Sequence, residues 1–105
     1  VSGRVRFVAL EIRLTPQARS DLAEIHDWTW FRFGQKQADN YVSEVAESFR
    51  LVADNPGLAR DAGNFREGLK KIVAGTYIVF MRCNPKTVII VRILHCAMDH
   101  RKHLK

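Results

Sequence analysis

The sequence predicts an α+β fold: an N-terminal β-strand, an antiparallel α-hairpin, a three-stranded antiparallel meander and a short C-terminal segment. Three observations carry this. Residues 8–14 alternate apolar and charged side chains. Two long stretches with apolar residues every three or four positions follow, parted by a single glycine. Beyond Gly68 the period shortens to three β-branched-rich runs separated by turn residues. A chain of 105 residues suffices for one modest core, so residues 1–105 are expected to form a single domain, with residues 1–6 read as tag-derived or disordered.

In the first strand Val8, Leu10, Ile12 and Leu14 share one side and Glu11 and Arg13 the other, the pattern of a half-buried strand. Thr15-Pro16 then opens a helix. The threonine hydroxyl can cap a free amide, and proline at the first helical position has no N–H to leave unsatisfied. Ala18, Leu22, Ile25, Thr29 and Phe33, with Trp28, mark its core-facing stripe. Gly34 ends it, and a second helix runs from about Gln35 to Asp54 with the stripe Ala38, Tyr41, Val42, Val45, Phe49 and Val52. So short a break between two amphipathic helices implies an antiparallel hairpin. Asn55-Pro56-Gly57 closes it, and residues 57–68 read as a polar, irregular connection.

The three later strands are Leu69 to Ala74, Tyr77 to Cys83 and Thr87 to His95, with turns at Gly75-Thr76 and Asn84-Pro85-Lys86. The last is apolar on both alternations: Ile89, Val91 and Ile93 on one face, Val88, Ile90 and Leu94 on the other. A sheet with two apolar faces needs cover on both, and the hairpin supplies only one. The other face requires the C-terminal segment, a second copy or another protein.

Charge is distributed unevenly. Residues 1–67 hold nine Lys/Arg against ten Asp/Glu, whereas residues 68–105 hold eight against Asp99 alone. That asymmetry suggests an acidic or nucleic-acid partner for the C-terminal third. No apolar run approaches the roughly 18 residues of a membrane span. Cys83 and Cys96 stand apart, with neither a CxxC nor a histidine at metal-ligand spacing, so two free thiols in a reducing cytoplasm are expected and no metal or cofactor.

Short signatures in order along about 90 residues carry a resemblance. They are Leu14-Thr15-Pro16-Gln17-Ala18 with Asp21-Leu22 and Ile25; Gly34 with Gln37-Ala38 and Tyr41; Asn55-Pro56; Arg66-Glu67-Gly68-Leu69; Gly75-Thr76-Tyr77-Ile78-Val79-Phe80; and Val91-Arg92-Ile93-Leu94-His95. Together they resemble the RelE/ParE toxin superfamily. Its RelE branch consists of ribosome-dependent mRNA endonucleases, which place cations and a tyrosine, or Glu and His, around the scissile phosphate. That branch commonly has arginine after the hairpin tyrosine, where this chain has Ile78, and a further tyrosine beyond the last strand, where none follows Tyr77. Arg92-Ile93-Leu94-His95 with the following Asp99 is closer to the ParE branch.

The resemblance therefore implies a cytoplasmic toxin of a type II toxin–antitoxin pair without catalysis of its own. It implies a ParD-like antitoxin as partner, DNA gyrase as target, DNA met only through either of them, and no membrane. Met98, Arg101 and Lys102 are the candidate gyrase contacts. Trp30, Phe31, Arg82 and Arg92 are the candidate antitoxin contacts, because the aromatic pair lies off the helical stripe and the arginines stand on apolar strands with almost no carboxylate nearby in sequence. The alternative is a RelE-type endoribonuclease using His95, Arg92 and Lys70. His26 and His95 are expected to be structural, and the tail His100-Arg101-Lys102-His103-Leu104-Lys105 is read as a frayed, solvated end.

Overall fold

A computed structural model describes residues 10–64 and 66–104 of the chain. The elements run β1 (Glu11–Leu14), α1 (Pro16–Phe33), α2 (Gln35–Asp54), a 3-10 turn at Pro56–Leu58, β2 (Arg60–Asp61), β3 (Lys70–Ala74), β4 (Tyr77–Cys83), β5 (Thr87–His95) and α3 (His100–His103). The α+β class and both hairpin helices are as the periodicity predicts. The first-strand positions 8 and 9 lie outside the described residues. The connection expected to be irregular contributes the two-residue strand β2, so the sheet has five strands in the order β1-β5-β4-β3-β2. The β3–β4–β5 meander is antiparallel, and β1 joins β5 in parallel over Glu11↔Thr87 to Leu14↔Ile90.

Thr15 works twice at the start of α1. Its hydroxyl oxygen accepts the Ala18 amide at 3.0 Å and donates to the Val91 carbonyl at 2.8 Å. The N-cap thus also ties the helix to β5, satisfying one terminal amide of the helix and one carbonyl of the strand. At the other end Gly34 has φ +90°, a conformation costly for any residue with a Cβ, and it lets α2 turn back directly. His26 Nε2 lies 3.0 Å from Asp39 Oδ1 and joins the two helices, in keeping with a structural role.

Between the pairs Phe80↔Arg92 and Met81↔Ile90 the register skips Val91, a β-bulge. The extra residue reverses the alternation of β5. Val88, Ile90 and Ile93 therefore pack together under the hairpin with Val79, Met81, Val45, Phe49 and Val52. Val91 and Leu94 join the opposite cluster with Phe80, Leu69, Ala62 and Leu104. The expected grouping of Ile93 with Ile89 and Val91, and of Leu94 with Val88 and Ile90, is corrected by this bulge. A bulge leaves every residue apolar and shifts only which way it points.

The second sheet face is covered from within the chain. Leu69 and Ala62 of the connection and Leu104 of the tail are all buried there, while Val73 stays exposed. The tail packs on this face: His100 sits edge-on to Phe80 at 5.4 Å, and its Nε2 lies 3.0 Å from the His95 carbonyl.

Candidate functional site

The functional geometry centres on the free edge of β5. Parallel pairing with β1 ends at Ile90, immediately before the bulge, and α1 takes over the edge beyond it. The Thr15 amide donates to the Ile90 carbonyl at 3.0 Å, the Thr15 hydroxyl to Val91, and the Asp21 carboxylate accepts the Ile93 amide at 2.9 Å. A buried carboxylate in the apolar stripe of α1 is explained by that open amide: an unpaired N–H beside the helix would cost a lost hydrogen bond, and only an acceptor side chain reaches it.

Asp21 also receives Arg92. Arg92 Nε donates to Oδ2 at 2.8 Å and Nη2 to Oδ1 at 2.9 Å, the two-pronged geometry in which a guanidinium matches a carboxylate best. Both side chains are shielded, with 15% and 9% of their surface exposed, and the hydrogen bond to Asp21 holds the Arg92 guanidinium even more firmly protonated than usual. The expectation that Arg92 lacks a carboxylate is therefore corrected. Its partner comes from α1, 71 positions earlier, outside the C-terminal third where acids are scarce. The third prong, Nη1, donates to the His103 carbonyl in α3 at 3.2 Å. Arg82 differs: its Nη1 rests on the Glu67 carbonyl at 3.3 Å, close against Gly68.

Beside this edge, between the far half of α1, the β3–β4 turn and the tail, lies a cleft of about 790 Å3. Trp28, Tyr41, Tyr77, His95 and Met98 line it, with Arg92 and Asp21 in its wall. Tyr77 packs edge-on between Tyr41, at 5.6 Å, and His95, at 5.4 Å, and the Tyr41 and Thr76 hydroxyls lie 2.6 Å apart. Burial, and then the neighbouring Tyr41, raises the Tyr77 phenol above its ordinary range. The His95 ring lines the cleft with its Nδ1 accepting the Ala97 amide at 3.0 Å.

The other expected residues fall in two places. Trp30, Phe31 and Phe33 project from the hairpin tip, where Phe31 is 89% exposed, and Trp28 and Phe33 pack edge-on at 6.3 Å. Phe33 and Trp28 were expected in the core stripe. Both are exposed, as are residues 30–37, so among the described residues none covers the last turn of the hairpin tip. Met98 stands on the cleft rim, and Lys102 is exposed on α3, the element that also contains Arg101.

Of the three residues of the endonuclease alternative, Arg92 and His95 border the same cleft, whereas Lys70 stands apart from it. Lys70 pairs with Met81 and His95 with Tyr77, four positions apart on β4 and so about 13 Å along the strand. Arg92 is committed to Asp21. Sequence reasoning missed Asp21 as a site residue; the available signal was an acid amid the apolar positions Ala18, Leu22 and Ile25. Among the described residues no group of three or more His, Cys, Asp or Glu is placed to hold a metal, and no helix is long and apolar enough to cross a membrane.

Comparison with known proteins places the chain in a family. Residues 12–100 match the family model described as the ParE toxin of the type II toxin–antitoxin system parDE. Toxin ParE1 of Caulobacter vibrioides is 34% identical over 92 residues, covering 88% of this chain and 95% of that protein. Toxin ParE1 of Mycobacterium tuberculosis is 36% identical over 92 residues, covering 87% and 94%. Among solved structures, the chromosomal ParDE system of P. aeruginosa gives a TM-score of 0.72 at 18% identity, over 83% of this chain and 96% of the other. The RelBE2 toxin–antitoxin complex of M. tuberculosis gives 0.64 at 23% identity, over 88% and 97%. At those identities the two structures speak for the fold.

Proposed function

The chain belongs to the ParE toxin family of type II toxin–antitoxin systems, and on that footing we propose that it acts by binding DNA gyrase, with no catalysis of its own. In this reading it stabilises the cleaved gyrase–DNA intermediate in the cytoplasm, meets DNA only through its protein partners, and is neutralised by a ParD-like antitoxin. The observation that carries the non-catalytic reading is the sheet register. It holds Lys70 and His95 about 13 Å apart along the strand, and Ile78 stands where a phosphate-binding cation would follow Tyr77. Phosphodiester cleavage needs its acid, base and cation within hydrogen-bond reach of one phosphate.

Affinity for gyrase is assigned to the tail, where Met98 offers an apolar contact at the cleft rim and Arg101 and Lys102 add charge to the sequence of α3. Antitoxin contact is assigned to Trp30 and Phe31 at the hairpin tip and to Arg82 on the sheet. Arg92 is removed from that set, because its three nitrogens are occupied by Asp21 and His103. Replacing both Arg101 and Lys102 with Glu inverts the charge of the contact. The expected outcome is loss of gyrase supercoiling inhibition with the fold intact by circular dichroism. Undiminished inhibition would show that the tail is not the contact.

A further inference from the structure

Arg92 occupies an unusual junction. In the β4–β5 register it lies opposite Phe80, which packs on the sheet face away from the hairpin. Its guanidinium nevertheless reaches Asp21 of α1, whose carboxylate lies at the β5 edge because it also holds the Ile93 amide. The same guanidinium donates to the His103 carbonyl of α3. One side chain thus spans the sheet edge and joins the hairpin on one side to the C-terminal tail on the other. A four-residue helix has almost no stability of its own, so the tail's position must come from such tertiary contacts. Others include Leu104, His100 on Phe80, and the His95–Ala97 turn.

We propose that Asp21 and Arg92 form a latch that holds residues 97–104 in the pose that meets the target, which makes both of them positioning residues for the toxin's activity. This rests on the reading that the tail contacts gyrase. Asp21 sets the guanidinium in plane by receiving two of its nitrogens, and the remaining nitrogen is then aimed at the carbonyl end of α3. There a positive charge also meets the negative end of the helix backbone. Lysine cannot replace it, because a single ammonium on a flexible stem lacks the planar fork that serves two partners at once.

The test is amide hydrogen exchange combined with gyrase supercoiling inhibition, on the full chain. Arg92→Lys is the first variant, since it leaves a cation for the buried carboxylate and so preserves the fold. Arg92→Met combined with Asp21→Asn is the second, removing both charges together. The Met98 and Lys102 amides, bonded to His95 and Asp99, report on the tail, and amides of β4 and β5 between residues 79 and 90 report on the sheet. The latch predicts roughly tenfold faster exchange in the tail, the worth of one charge-assisted hydrogen bond, with sheet exchange unchanged. It also predicts that about tenfold more protein is needed for half-inhibition. Equal acceleration in tail and sheet would reduce the pair to a general stabilising role, and unchanged tail exchange in both variants would overturn the latch. If the unaltered chain fails to inhibit gyrase, the target assignment falls, while the exchange data still decide whether the latch exists.

Discussion

Removing the Asp21 carboxylate leaves a guanidinium without its counter-charge and a strand amide without its acceptor. Asp21→Ala is therefore expected to cost about 3 kcal/mol, the low end for breaking a shielded ion pair, since Arg92 retains some exposure and can turn outward. Urea unfolding measures this directly, and a loss under about 1 kcal/mol would place the pair with ordinary surface ion pairs. The two thiols separate on the same physical grounds. Burial pushes the Cys83 thiol up, against the smaller opposing pull of Lys70, whereas Cys96 is exposed. Maleimide should label Cys96 first at neutral pH. Cys83 and Tyr77 both have folded values raised above their unfolded ones, so the stability they contribute is complete near neutrality and is lost as pH rises through those folded values. The melting temperature should accordingly hold from pH 6 to 8 and fall above about pH 9, where free thiols begin to ionise. A midpoint that rises over that range would contradict the assignment. At this scale the sequence was only partly legible. Thr15 as N-cap could be read from its neighbours, while the Asp21–Arg92 pairing spans 71 positions and no local pattern records it.

Helix limits at the level of elements were readable because their signals are local: Thr15-Pro16 starts α1, Gly34 separates the helices, and Asn55-Pro56 ends α2. Strand faces were not. The bulge at Val91 inverts every later side chain of β5, and a bulge formed by a valine within a run of Val and Ile has no compositional mark. The cap at Gly34 gives a clean prediction at this scale. Among the described residues, and apart from its chain neighbours, no atom lies within 4 Å of a Cβ placed there, so Gly34→Ala tests backbone strain at φ +90°. The expected cost is about 1–3 kcal/mol in equilibrium unfolding, from forcing a side chain into a glycine-only region. A neutral result would mean that the two helices can meet through another turn.

Across the whole molecule, the uneven charge and the two-faced apolar sheet both pointed to a protein completed by something outside the meander. The structure divides that role. The connection and the tail cover the second face, with Leu104 against Phe80 and Leu94, while the aromatic hairpin tip and the cleft beside β5 remain open to a partner. Truncation after His95 should therefore uncover apolar surface and increase binding of a hydrophobic dye, and an unchanged dye signal would mean that the tail covers little. The excess of cations in the last third could be counted from the sequence, but the one that organises the site is neutralised from α1. Charge counting along a chain cannot see such a pairing. The proposed action on gyrase without RNA cleavage is tested by inducing the chain in cells without an antitoxin while mapping mRNA ends by primer extension. An SOS response with intact messages is expected; codon-positioned mRNA cuts without DNA damage signalling would overturn the gyrase assignment.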